Sequence, residues 1–102
     1  MTNPLLKGLR PVHPGEMLRE DILPAVGRPK TEIARLLGIS RQTLYDILGE
    51  KQPVTPAMAL RLARMFGGSA ESWVNMQRNY DLKIAERELG DALDAIPRLE
   101  AA

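Results

Sequence analysis

Between Thr31 and Leu48 the sequence spells the buried face of a helix twice, with a glycine between the two stretches. Ile33, Ala34 and Leu37 mark the first face, and Leu44, Ile47 and Leu48 the second, at helical spacing. Gly38 stops the first stretch, because glycine enters the left-handed region without a Cβ clash. Ser40 stands where its hydroxyl can accept from the free backbone N–H groups that open the next helix. Ile39 is expected to be buried in the turn, and Ala34 is small where two helices must cross closely. Two short helices joined by a glycine-containing turn make a helix-turn-helix, and with no strand-like alternation anywhere in the chain an all-α fold is expected.

The flanking sequence agrees. Residues 1–12 hold Pro4, Gly8 and Pro11 without periodicity and are expected to form a flexible arm. His13, Pro14 and Gly15 lead into Met17, Leu18, Ile22 and Leu23, a first helix that Pro24 is expected to end. Gly27 to Pro29 turn the chain into the second helix near Lys30, and the third follows Ser40. Thr55 caps a fourth helix opened by Pro56 and stopped at Gly67-Gly68. Ser69 caps a fifth, which carries Trp73, Met76, Gln77, Tyr80 and Ile84 in one stripe and runs to about Leu89. Trp73, Met76 and Tyr80 are expected to be mainly core. Residues 13–90 thus form the domain, and residues 91–102 a short helix or frayed tail.

The outward residues of the third helix carry the functional signal. With Leu44, Ile47 and Leu48 turned inward, Arg41, Gln42, Thr43, Tyr45 and Asp46 are left for the bases of DNA, which a recognition helix meets with its N-terminal end in the major groove. Arginine pairs with guanine O6 and N7, and glutamine with adenine N6 and N7, each through two hydrogen bonds. Thr43 can reach a thymine methyl or a phosphate, and Asp46 can accept from a cytosine amino group or repel phosphate. Lys30, Thr31, Ser40 and Lys51 are expected along the phosphate backbone. The plain alternative is a helical hairpin with an ordinary polar exterior.

Charge distribution says more than the net charge of +1. Residues 1–70 hold ten basic against six acidic side chains, a balance of +4, and residues 71–102 hold four against seven, −3. One face suited to phosphate and one not is the expected consequence. There is no cysteine, which removes disulfides, thiolate metal sites and cysteine nucleophiles. The single histidine, His13, cannot build a multi-histidine metal site or a Ser-His-Asp triad, and is expected to fix the chain's approach to the first helix. Glu16 and Glu20, four apart, read as solvent-exposed charge. No enzyme, no metal and no cofactor are expected. The absence of a leader pattern and of any long apolar run argues against a signal peptide or a membrane partner, and the cytoplasm is expected by default.

His13-Pro-Gly-Glu-Met-Leu18, the 31–48 motif, Thr55-Pro-Ala-Met-Ala-Leu-Arg-Leu-Ala63 and Ser72-Trp-Val-Asn-Met-Gln-Arg-Asn-Tyr-Asp-Leu82 together resemble the Xre/Cro-type helix-turn-helix family. Within it they are most similar to the HigA (VapI-like) antitoxins of type II toxin–antitoxin modules. The resemblance covers roughly residues 10–88. It implies an all-α, five-helix, lambda-repressor-like domain that binds double-stranded operator DNA as a homodimer, represses its own operon and neutralises a HigB-type ribonuclease toxin. It places the dimer contact in the C-terminal helix, where Arg78, Asn79 and Leu82 are the candidates, and the toxin toward the arm and residues 13–23. Two departures stand out: relatives more often carry Asn-Gly before the lysine that follows the recognition helix, whereas this chain has Leu48-Gly49-Glu50-Lys51, and Asp46 places an acid on the DNA-facing side of that helix. Two other readings stay open, a solitary Xre-family regulator without a toxin and a protein-interaction domain without DNA binding.

Overall fold

The computed structural model describes residues 10–100, and every regular element among them is helical. Most of the expected arm, residues 1–9, lies outside the described residues; residues 10–13 are irregular chain, with Arg10 paired to Glu16. The chain then forms a continuous rod of α1 (Pro14–Met17), a π-helical turn (Leu18–Ile22) and α2 (Leu23–Val26). Three helices follow, α3 (Lys30–Leu37), α4 (Arg41–Leu48) and α5 (Pro56–Phe66). The long α6 (Ala70–Leu89) and the single turn α7 (Asp91–Asp94) complete the order. Taking the rod as one helix, the five-helix all-α arrangement expected from the sequence is the one observed, with α7 as an appendage.

Pro24 does not end the first helix, as the spacing suggested. It sits in the first turn of α2, and the preceding turn has widened so that the Leu23 N–H reaches Leu18 O, five residues back. Proline lacks an N–H and its ring would press on the carbonyl four residues before it. A wider π turn opens that space and lets the rod continue to Gly27, which closes it in the left-handed conformation (φ 70°).

Helices α3 to α6 each start on a hydroxyl or a proline. Ser40 Oγ accepts from Thr43 N (3.0 Å), Thr55 Oγ1 from Met58 N (3.2 Å) and Ser69 Oγ from Ser72 N (3.1 Å). Both members of the helix-turn-helix end in the same Schellman pattern. After α3, Ile39 N donates to Ala34 O and Gly38 N to Arg35 O; after α4, Lys51 N donates to Asp46 O and Glu50 N to Ile47 O. The left-handed residue is Gly38 (φ 76°) in the first and Glu50 (φ 62°) in the second.

One core binds these elements: Leu18 and Leu23 from the rod, Ile33, Ala34 and Leu37 from α3, Leu44, Ile47 and Leu48 from α4, then Val54, Met58, Ala59, Leu62 and Trp73. Ile39 packs against it from the turn, partly buried. Of the expected core stripe on α6, Trp73 is buried while Met76 and Tyr80 are only half-buried. The fully buried polar member of that stripe is Gln77, whose Oε1 accepts from Val54 N (2.8 Å) while its Nε2 donates to Asp81 (2.9 Å). It thereby ties the loop after α4 to α6.

One close approach in the molecule is backbone on backbone. A Cβ placed on Gly15 would lie 1.8 Å from Ile47 O, so α1 crosses the end of α4 where no side chain fits. Replacing Gly15 with alanine should therefore lower stability by about 2 kcal/mol or more, roughly a 10 °C fall in Tm for a domain of this size. Urea and thermal unfolding followed by circular dichroism measure it; an unchanged midpoint would show that the crossing is slack.

Candidate nucleic-acid interface

The outward end of α4 is a polar surface on an apolar helix. Leu44, Ile47 and Leu48 are buried, Arg41, Gln42 and Tyr45 are exposed, and Thr43 and Asp46 lie half-buried at the edge. Ser40, Arg41, Gln42 and Tyr45 line a shallow concavity at this end, with Arg41 unpaired among the described residues. Thus three of the five candidates for base readout share one open face. The other two are set back.

Several of these groups are already bonded to one another. Gln42 Nε2 donates to Asp46 Oδ1 (2.8 Å), and Ser40 Oγ donates to Thr43 Oγ1 (2.9 Å) while accepting from Thr43 N. The Gln42–Asp46 pair is one helical turn long and fixes the amide's direction, with Nε2 toward the carboxylate and Oε1 outward. Reading adenine through both amide atoms uses Oε1 and the other Nε2 hydrogen, so the Asp46 bond can hold while it orients the amide. Ser40 serves the fold first, and Thr43 is held by it. Lys30, Thr31 and Lys51 are exposed at the start of α3 and beyond the end of α4, and neither lysine makes an ion pair among the described residues.

The C-terminal end of α4 is where the helix is gripped. Arg19, on the rod, donates through Nη1 to Leu48 O (2.5 Å) and to Glu50 Oε2 (3.4 Å), and through Nε to Glu20 Oε1 (3.0 Å). Hydrogen bonding, to Glu20 first and to Glu50 next, raises the pKa of the guanidinium above its ordinary value. Glu20 is therefore partnered yet still exposed, as the sequence suggested, whereas Glu16, paired to Arg10, is largely covered. On α5, Arg61 Nη1 caps the Leu37 carbonyl at the end of α3 (2.7 Å). None of Arg19, Arg61 or Gln77 stood out as a positioning residue in the sequence. Their signal is a long polar side chain at a position the periodicity assigns to the buried or bordering face.

His13 does fix the chain's approach to the first helix. Its Nδ1 accepts from Gly15 N (2.9 Å), and its ring lies edge-on to Tyr80 with centroids 4.9 Å apart and planes at 83°. Burial pushes its pKa below 6.5, against the weaker upward pull of Glu50 and Asp81. At α6, Arg78, Asn79 and Leu82 are exposed, as a dimer surface requires, and Arg78 donates to Asn75. Arg78 and Leu82 border an apolar hollow of about 400 Å³ with Val54, Val74, Gln77 and Ala85, while Asn79 stands away from it. No group of three or more metal-binding side chains occurs among the described residues, and none of their helices is long and apolar enough to cross a membrane.

A helix-turn-helix family model (HTH_3) matches residues 18–73. Virulence-associated protein I of Dichelobacter nodosus is 46% identical over 77 residues, 76% of this chain and 71% of that protein. Among solved structures, the antitoxin GraA in complex with its operator superposes with a TM-score of 0.84 at 38% identity, covering 99% of both chains. The Pseudomonas aeruginosa antitoxin HigA with the higBA promoter gives a TM-score of 0.84 at 37% identity, covering 89% of this chain and all of that one.

A histidine whose folded pKa is depressed binds its proton more readily in the unfolded chain, so stability is complete above the unfolded value and is lost as pH falls below about 6.5. The urea midpoint should therefore drop between pH 7 and pH 5, ahead of carboxylate titration. In His13→Asn, which can still accept from Gly15 N, that segment of the profile should flatten. An equally steep profile in the variant would place the titration elsewhere.

Proposed function

The chain belongs to the Xre-type helix-turn-helix family (HTH_3), in the group that holds the HigA antitoxins and VapI-like proteins, and we propose that it is an antitoxin and autorepressor. On this reading it binds a palindromic operator in its own promoter as a homodimer, through α4, and neutralises a HigB-type ribonuclease toxin. The observation that carries it is the near full-length superposition on an antitoxin held on its operator, together with an α4 whose exposed end bears Arg41, Gln42 and Tyr45.

Arg41 and Gln42 supply base contacts, with Thr43 and Asp46 adjusting them from the edge of the face. Lys30, Thr31 and Lys51 supply charge and hydrogen bonds to phosphates. Ser40 contributes through its backbone and by capping α4. A single short helix reads too few base pairs, so a second copy must place its own α4 about one helical turn of DNA away. The pairing surface is the outer side of α6, where Leu82 is 55% exposed beside the apolar hollow under Arg78. A basic ribonuclease would find complementary charge at Glu20 and Asp21 on the rod, both exposed.

Footprinting on the region upstream of the chain's own coding sequence tests the DNA half. Arg41→Ala with Gln42→Ala should abolish sequence preference, since each two-bond base contact contributes about 1–3 kcal/mol of discrimination; unchanged protection would refute the assignment of α4. In sedimentation, Leu82→Glu should yield a monomer that has lost operator binding, and a stable dimer would move the interface off this side of α6. Co-expression with the product of the adjacent gene tests the toxin half. Rescue of growth supports it, and the absence of both a ribonuclease-like neighbour and any rescue leaves a solitary regulator.

A further inference from the structure

The rod, α3 and α4 enclose a cleft of about 250 Å³ lined by Arg19, Lys30, Tyr45, Leu48 and Gly49. Two cations and a phenol from three different helices converge on it. Lys30 is exposed and unpaired among the described residues, and Tyr45 is half exposed. Arg19 uses Nε and Nη1 for Glu20, Leu48 O and Glu50, and its Nη2 makes no hydrogen bond to a described residue. The Nη1–Glu50 contact, at 3.4 Å, is the longest of the three and the easiest to exchange.

Glu50 is in an unusual position to make that contact. It is the one non-glycine residue at positive φ among those described (62°), a conformation that disfavours a side chain by about 1–2 kcal/mol. Its carboxylate nevertheless folds back to Arg19 and is only 28% exposed. An internal anion thus sits on the cation that borders the cleft.

We propose that this cleft seats one phosphodiester of DNA, on Arg19, Lys30 and the Tyr45 hydroxyl, and that Glu50 is its internal competitor, holding Arg19 until phosphate displaces the carboxylate. The inference rests on the DNA-binding reading above and adds a site and a control to it. A guanidinium carries five N–H donors in one plane, so Arg19 can keep Leu48 O, and with it the end of α4, while exchanging one carboxylate for phosphate. Tyr45 then serves the backbone rather than a base. The consequence is weaker binding to every duplex, a cost that a duplex unable to engage Arg41 and Gln42 is least able to offset. Glu50 therefore lowers non-specific occupancy.

The test uses the full-length protein and two 30-base-pair duplexes, one from its own upstream region and one scrambled, with affinity read by fluorescence anisotropy over a salt series. Glu50→Gln keeps the size of the side chain and removes its charge. It should tighten binding to the scrambled duplex roughly three- to tenfold and steepen the slope of log K against log salt by about 0.9. Lys30→Gln should make that slope shallower by about the same amount on both duplexes. Tyr45→Phe should weaken both duplexes equally. An unchanged slope in Glu50→Gln or Lys30→Gln overturns the seat, as does a Tyr45→Phe loss confined to the operator, which would put the phenol on a base. Wild-type protein that binds neither duplex would instead overturn the DNA-binding reading itself.

Discussion

The structure turns on how the far end of a two-turn helix is held. Ile47 O lies against Gly15 with no room for a Cβ, Leu48 O receives Arg19, and Asp46 O receives Lys51 N. An α-helix leaves its last carbonyls without partners of its own. Here they are taken by the rod and by the following loop, and Gln77 fixes that loop to α6 through Val54 N. A helix this short has little stability of its own, so its direction is set by the groups that grip it. All of them act at the C-terminal end, which leaves the N-terminal end open with a defined orientation.

That arrangement explains which features were legible in the sequence. Helix order, the Gly38 turn, the hydroxyl caps and the buried faces of α3 and α4 follow from spacing and local chemistry, and each is found where expected. Pro24 misled because its local rule assumes a regular α-helix before it, and the π turn at Leu18–Ile22 removes that premise. Gly15 hid its role because a glycine in a helix's first turn has several explanations, and only the three-dimensional crossing with Ile47 selects one. Gln77, Arg19 and Arg61 were illegible for a related reason: each binds a backbone group 23 to 29 residues away in sequence. Backbone groups carry no signature in an amino-acid string. For the interface, the exposure of Arg41, Gln42 and Tyr45 on α4 was readable, but the set-back of Thr43 and Asp46 and the internal bonds from Gln42 to Asp46 and from Ser40 to Thr43 were not.

Those internal bonds matter for selectivity. In the proposed complex Arg41 meets a base unconstrained, whereas Gln42 meets it with one amide hydrogen kept by Asp46 and the amide plane already set. A base that does not fit that plane leaves the amide's free donor and acceptor unpaired and is penalised. The same logic joins the edge of α4 to its far end, where a carboxylate holds an arginine. In both places an acidic side chain of this chain bonds a side chain proposed to meet DNA, which accords with a net charge of only +1. Such a protein relies less on long-range attraction and more on fit.

The remaining constraint lies in α6. Only Trp73 and Gln77 of its twenty residues are buried, both in its first half. Beyond Asp81 the helix extends away from the core, and the molecule reaches 55 Å in one direction against 23 Å in another. Its radius of gyration is 17.0 Å, where a compact chain of this length has about 13 Å. Leu82, Leu89 and Leu93 are all at least 41% exposed on this projecting segment. An unsupported helix with apolar side chains toward water loses both the packing that stabilises helices and the free energy of burial. The proposed pairing of two copies supplies both, and it also sets two copies of α4 at a fixed separation. On that proposal, the core of one copy orients the reading helix, and the segment that core leaves uncovered fixes the distance to the next.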